Sequence, residues 1–151
     1  MKKLLFILFI FSFYLSSAQI AFNTGSVQLD SDLNSINIGA SANFEAFKGD
    51  LAISYNVSEK KIEYLRASVN LAPGEIYLAL EIAKLSRRSI DQVVTIYKNN
   101  KGKGWGYIAK EAGIKPGSAA FHQLKNNARS KKSKAGNGKG KVKSKGKGPG
   151  K

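Results

Sequence analysis

The stretch "PGEIYLALEIAKLS", residues 73–86, decides the fold. Pro73 suits the first turn of a helix, where the N–H that proline lacks is not needed. Apolar side chains then cover nearly every face of the helix, so we expect it to lie buried at the centre of the fold. A buried helix needs other helices to surround it, and apolar periodicity predicts them on both sides.

Helical periodicity continues before and after this central helix. Apolar residues recur at helical spacing in four other segments, around Phe44 and Leu51, Ile62 and Val69, Ile90 and Tyr97, and Trp105 and Ile108. Pro116 then starts a final short helix. The sequence therefore predicts an all-α domain over residues 44–128, a small bundle of about five to six short helices, with a core that includes Trp105, Ile108, Ile114 and Phe121.

Residues 19–43 lack that periodicity. The stretch "QIAFNTGSVQLDSDLNSINIGASAN" is rich in Asn, Ser, Gly and Asp. These residue types favour turns and caps over the interior of regular elements. We therefore expect an irregular lead-in ahead of the helical domain.

Residues 1–18 have the features of an export signal. Lys2 and Lys3 form a positive start, an apolar run follows over residues 4–15, and small residues end at Ala18. Cleavage after Ala18 leaves Gln19 as the first residue of the mature chain. The apolar run is too short to span a bilayer and no later stretch is long enough. We expect an exported protein, periplasmic or secreted, with no transmembrane segment in the mature chain.

The other end of the chain is strongly basic. Residues 129–151 carry ten Lys or Arg and no acid, whereas the formal charge of residues 19–128 is only +3. Such a segment cannot bury enough apolar surface to offset its ordering entropy, so we expect it to be disordered. Its cations are candidate polyanion contacts: Arg129, Lys131, Lys132, Lys134, Lys139, Lys141, Lys143, Lys145, Lys147 and Lys151.

Residues for catalysis are scarce. The chain has no cysteine, and His122 is its single histidine, so the sequence predicts no metal site, no triad and no cofactor. Glu59 and Glu63 share a helix face but alternate with basic residues, which is typical of a solvated charged face rather than of an acid–base pair. We expect that the protein is not an enzyme, although carboxylates from distant segments could still meet in the fold.

A glycine-rich run, residues 102–106, precedes the helix that carries Trp105. Free N–H groups at a helix start favour an anion, which makes Lys101 and Lys103 candidate anion contacts. The spacing matches neither a Walker A loop nor a dinucleotide fingerprint. We favour the other interpretation, a flexible start that lets Trp105 turn into the core.

The segment "YIAKEAGIKPGSAAFHQL", residues 107–124, has the pattern of a helix-turn-helix. Residues 63–80 repeat it faintly. Any tight helix pair needs a small residue at the contact and glycine at the turn, and this pair lacks the basic face of a DNA reader. We therefore expect a helix-turn-helix-like hairpin that defines the fold rather than one that reads DNA.

Residues 73–125 resemble a family of small exported bacterial proteins of uncharacterised function. The shared elements are the Pro-Gly before the central helix, the "IDQVV" helix and the segment "GKGWGYIAKEAGIKPGSAAFH". The resemblance implies an extracytoplasmic location and supplies no substrate or catalytic residue.

These observations favour a small exported binding or structural module whose basic tail attaches to polyanions by non-specific electrostatics. The polyanion would be an envelope surface, an acidic polysaccharide or extracellular DNA. An alternative is a protein-interaction or regulatory module of the periplasm that acts through the helical domain, with a tail that only solubilises it. A DNA-binding protein and an enzyme are less favoured.

Overall fold

The computed structural model describes residues 19–136, which fold into seven α-helices: α1 (Val27–Ala42), α2 (Phe44–Tyr55), α3 (Glu59–Ala67), α4 (Pro73–Ser86), α5 (Ile90–Asn99), α6 (Trp105–Ala112) and α7 (Ala119–Gly136). No β-strand occurs in this range, so the predicted all-α class is confirmed, with more helices than expected. The predictions for residues 1–18 and for the lysines after residue 136 lie outside the described residues.

Helix α4 is the centre of the bundle, as its apolar sequence predicts. It contacts each of the other six helices. Every side chain from Ile76 to Ala83 is buried. Pro73 opens the helix, and the carboxylate of Glu75 accepts a hydrogen bond of 2.9 Å from the N–H of Ala72, which satisfies a donor at the helix start. The remaining helices therefore form a shell around α4.

The prediction of an irregular lead-in is wrong over most of its length, because Val27–Ala42 forms α1. Ser26 caps this helix by accepting a hydrogen bond from the N–H of Leu29. Leu29, Leu33, Ile36 and Ala40 lie on one face and are all buried. The exposed Asn, Ser and Gly residues between them hide this narrow apolar stripe in the composition.

The final helix is longer than predicted. Pro116 and Gly117 form a turn ahead of it, and the hydroxyl of Ser118 accepts a hydrogen bond from the N–H of Phe121. Helix α7 then continues to Gly136, so the predicted disorder from residue 129 onward is wrong for residues 129–136. Leu124 and Ala128 bury the helix against the bundle. The last two turns are held by ion pairs of Lys131 with Asp50 and of Lys132 with Asp32, which composition alone cannot predict.

The glycine-rich run is explained by a close backbone contact that we call the N-terminal clasp, residues 22–24 against residues 104–106. The N–H of Trp105 donates to the carbonyl of Phe22 at 2.8 Å, and the N–H of Gly106 donates to the carbonyl of Asn23 at 3.0 Å. A Cβ atom on Gly106 would lie 2.7 Å from the carbonyl oxygen of Thr24. Only glycine permits this approach.

Candidate functional site

The described part of the basic segment lies on α7, and its four cations have two different environments. The ammonium of Lys132 lies 2.9 Å from Oδ1 of Asp32 on α1. Lys131 forms an ion pair with Asp50 on α2. Arg129 and Lys134 are exposed and form no ion pair with the described residues. Two predicted polyanion contacts are thus engaged inside the fold, and two face outward.

Asp32 explains why Lys132 is held. Its side chain is only 1% exposed, and Oδ1 accepts hydrogen bonds from Gln28 at 3.1 Å and from Lys132 at 2.9 Å. Within residues 19–136, Oδ2 of the same carboxylate is buried and has no hydrogen-bond partner. Burial of a carboxylate costs free energy unless an opposite charge or hydrogen bonds compensate it. Lys132 therefore stabilises the contact between α1 and α7.

A second group of acids surrounds Lys48, whose side chain is 7% exposed. Its ammonium lies 2.7 Å from the carboxylate of Glu45, 2.7 Å from Glu63 and 3.6 Å from Glu59. Hydrogen bonds to Glu45 and Glu63 raise the pKa of Lys48 above its usual range. The predicted solvated face of Glu59 and Glu63 thus also holds α2 against α3.

The second buried acid of the described residues is Glu81 on α4, which sequence periodicity could not single out. Its carboxylate is almost fully buried; Oε1 accepts a hydrogen bond of 2.5 Å from the hydroxyl of Tyr55, and Oε2 accepts one of 2.9 Å from the amide of Asn127. Burial, together with the nearby carboxylate, raises the pKa of Tyr55 and of Tyr77 well above the ordinary tyrosine value. Both phenols stay protonated, and the network joins α2, α4 and α7.

Acidic and basic side chains differ in how many of them have a partner in the fold. All ten acids lie within residues 30–111, and nine of them are engaged by other side chains or the backbone: Asp30, Asp32, Glu75 and Glu81 in hydrogen bonds, and the largely exposed Glu45, Asp50, Glu59, Glu63 and Asp91 in ion pairs with lysines. Among the described cations, only Lys48, Lys61, Lys131 and Lys132 have an acid within 4 Å. The outward-facing charge of residues 19–136 is therefore mainly positive.

The loop of Lys101 and Lys103 does not offer the predicted free N–H groups at Trp105 and Gly106. Both groups donate to carbonyls of the N-terminal clasp. Lys101 is exposed, and the ammonium of Lys103 lies 4.5 Å from the centroid of the Tyr107 ring. The interpretation of this loop as a start that turns Trp105 inward agrees with the structure, since the indole N–H donates to Glu75 at 3.0 Å. Trp105, Ile108, Ile114 and Phe121 are all buried.

A cleft separates α2 from α7. No pair of their Cα atoms comes within 8 Å, although both helices contact α1 and α4. The ion pair of Lys131 and Asp50 crosses this gap, and we call the gap the α2–α7 cleft. On one side lies a mainly apolar cavity of about 330 Å³, and on the other a mainly polar cavity of about 240 Å³ that reaches Tyr55 and Glu81.

The cleft does not bring Glu81 together with His122, which is exposed on α7. Both oxygens of Glu81 already accept hydrogen bonds, and burial together with this carboxylate raises the pKa of the adjacent Tyr55 phenol. No group of three His, Asp or Glu side chains in residues 19–136 is placed to hold a metal ion. In the same range, no helix has the length and apolar character needed to cross a bilayer.

A scan against protein-family models finds no matching model, and searches of curated proteins and of solved structures find no match either. The resemblance to small exported bacterial proteins therefore stays a prediction.

Proposed function

We propose that the protein is an exported helical module that attaches to polyanions through its cationic C-terminal segment, residues 129–151. The observation that carries the proposal is the separation of charge. Nine of the ten acids are held in hydrogen bonds or ion pairs, whereas Arg129 and Lys134 are exposed and begin a run of cations that continues, without any acid, to Lys151. A segment of this kind binds polyanions by releasing counterions and does not need a fixed geometry.

Lysine and glycine give this attachment a broad rather than selective character. The ammonium group is a point charge that does not require the planar geometry of arginine pairs. The segment contains no aromatic side chain on which a base could stack. Envelope surfaces, acidic polysaccharides and extracellular DNA are therefore all suitable partners, and the helical domain is what becomes anchored.

Substitution tests the proposal better than truncation does, because a cut at residue 128 would remove the last eight residues of α7 together with the partner of Asp32. The six lysines after residue 136 are changed to Gln in the chain that begins at Gln19. The log–log salt slope for duplex DNA is then expected to fall by about 5, at about 0.9 per charge.

The matched control changes six lysines of the helical domain to Gln: Lys60, Lys98, Lys101, Lys103, Lys110 and Lys115, all of which are exposed. Both variants have the same net charge. Binding of heparin and DNA should depend mainly on the first set. If the two variants lose affinity and salt slope equally, attachment follows net charge, and the C-terminal segment has no special role.

A further inference from the structure

A groove of three adjoining cavities runs along one side of α2, and the ion pair of Lys131 and Asp50 lies between the first two. It starts in the α2–α7 cleft and continues into a third cavity, of about 330 Å³, which is lined by residues that include Tyr55, Val57, Leu80 and Ala83. Neighbouring cavities share walls: Lys131 lines the first and second, and Lys84 lines the second and third. We call the three cavities together the α2 groove.

The lining of the α2 groove changes along its length. The first cavity is mainly apolar, with Ile36 and Phe47 in its wall. The middle cavity is mainly polar and contains Asn127 and Ser130, and the third is mainly apolar again. Phe47 and Tyr55 are eight residues apart on α2, which corresponds to about 12 Å along the helix axis. Two apolar sites thus flank a polar one over a distance that a short peptide covers.

Positive charge dominates the rim of the α2 groove. Lys84 and Lys134 are exposed beside the middle cavity, and Arg88 lines the third. The two acids in the wall are already balanced, because Asp50 is paired with Lys131 and Glu81 accepts two hydrogen bonds. An occupant that brings carboxylates would find cations that have no acid partner within the described residues.

An exposed isoleucine stands beside the groove. The side chain of Ile53 is 86% exposed, and its position in α2 puts it one turn from Asp50 on the edge of the groove. Ile53 lines none of the three cavities itself, but a partner that lies in the groove would cover part of its side chain.

The geometry points to an acidic peptide segment of a partner protein as the occupant of the α2 groove. Its carboxylates would contact Lys84 and Lys134, and apolar side chains near its two ends would enter the outer cavities, one of them covering Ile53. Peptides commonly bind grooves in this way, with apolar anchors spaced along the segment and charges that fix its register.

The same features disfavour other occupants. Duplex DNA and acidic polysaccharides have no apolar groups for the walls at Phe47 and Leu80. An acyl chain needs a continuous apolar lining, and the polar middle cavity interrupts it. A second copy of this chain would bring a mainly positive surface against a positive rim.

The test measures binding of a fluorescein-labelled ten-residue peptide of alternating Leu and Glu, a probe that supplies both kinds of contact. The protein is the full chain from Gln19 with Gln at its six lysines after residue 136, so that tail attachment cannot contribute. Lys84→Gln with Lys134→Gln should weaken binding roughly five- to tenfold. Lys110→Gln with Lys115→Gln, which removes the same charge outside the groove, should leave it unchanged.

A second pair of variants tests the apolar part. Ile53→Ser should weaken binding of the peptide roughly tenfold. Val27→Ser, at an 89% exposed side chain at the start of α1 that is away from all three cavities in sequence, should not. The proposal is overturned if the peptide does not bind, if each variant and its control respond alike, or if the groove variants change binding of heparin or phosphatidylglycerol vesicles instead. Because the proposed polyanion attachment is measured on the tail variants, either can fail alone.

Discussion

Helices α4 and α7 are the second helices of two hairpins that follow the same plan. In each hairpin a short helix ends, a buried aliphatic residue follows (Leu71 or Ile114), and a Pro-Gly pair comes next, in the first turn of α4 or just before α7. The outcomes differ. α4 is buried on nearly all sides, whereas α7 buries one face and presents cations on the other. The plan of a hairpin therefore does not decide whether its second helix becomes core or surface; the residues that follow Pro-Gly do.

The two Pro-Gly pairs themselves show how context changes one dipeptide. A Cβ atom on Gly74 would lie 2.8 Å from the ring of Phe22 and 2.9 Å from the carbonyl oxygen of Leu33. Gly117 has a φ of +76° and no atom within 4 Å of such a Cβ. Glycine serves close packing in the first hairpin and a left-handed turn in the second.

The largest expected effect lies in α4. Ile82 is fully buried, so Ile82→Ala removes apolar contacts on a helix that touches every other helix. We expect a loss of about 3–4 kcal/mol in the free energy of unfolding, measured by urea denaturation. Gln123→Ala, at an exposed position of α7, should change it by less than about 0.5 kcal/mol. Comparable losses would break the contrast between core helix and surface helix.

The next largest change in the free energy of unfolding is expected for substitutions of Gly74 and Gly117. Gly74→Ala forces a methyl group against Phe22 and the backbone of Leu33, and we expect a loss of about 2 kcal/mol. Gly117→Ala has open space but an unfavourable φ, and it should cost about 1 kcal/mol. Thermal and urea unfolding of both variants measure the difference, and a reversed order would contradict the close packing at Gly74.

Within α7, substitutions of two neighbouring lysines should lower the free energy of unfolding by different amounts. Lys132→Met leaves the buried carboxylate of Asp32 without its counter-charge, and we expect a loss of about 1.5 kcal/mol in the free energy of unfolding. Lys131→Met breaks a more exposed pair and should cost less than about 1 kcal/mol.

The double variant Asp32→Asn/Lys132→Met is the control for this pair. Because it removes both charges, it should recover part of the stability that Lys132→Met loses. Equal effects of the two single lysine variants would mean that burial of Asp32 contributes nothing to the packing of α7 on α1.

The smallest effect is a dependence on alkaline pH. The pKa values of Tyr55 and Tyr77 are raised in the fold, so the folded protein retains protons that the unfolded chain has released above the ordinary value of 10. Their contribution to stability is complete below pH 10 and is lost as pH rises. From there to about pH 11 the loss is about 1 kcal/mol for each tyrosine.

Tyr55→Phe isolates this contribution. The pKa of Lys48 is raised too, so the stability that Lys48 contributes is also lost as pH rises above the usual lysine value, but that part is common to both proteins. The slope of the unfolding free energy against pH should be smaller in the variant than in the unchanged protein. Identical slopes would show that the phenol of Tyr55 does not titrate with the unfolding transition.

Most features that depend on residues close together in the chain could be predicted from the sequence, and features that depend on distant residues could not. The position of α4 could be predicted because nearly continuous apolar character belongs to one segment. The helical stripe of Trp105 and Ile108 could be predicted for the same reason, and both side chains are buried. α1 was missed because polar residues separate the members of its narrow apolar stripe, and the end of α7 was missed because the acids that hold it, Asp32 and Asp50, are distant in sequence.

The candidate sites were harder to predict from the sequence than the helices were. The network of Tyr55, Glu81 and Asn127 joins three helices that are distant in sequence, and no spacing rule connects them. The α2 groove is lined by residues of α1, α2, α4 and α7 that are distant in sequence, so no local pattern can reveal it. The isolated Glu81 within an otherwise apolar helix was the one available signal, since a buried acid requires partners.

The N-terminal clasp has a consequence for the order of events during synthesis. Phe22 and Asn23 are among the first described residues to emerge from a ribosome or a translocation channel, yet their hydrogen-bond donors lie at Trp105 and Gly106. Such a distant contact forms late, after the chain between its ends is ordered. The earliest segment to appear is therefore among the last to become protected, and until residue 106 has emerged it stays accessible to any protease that meets the growing chain.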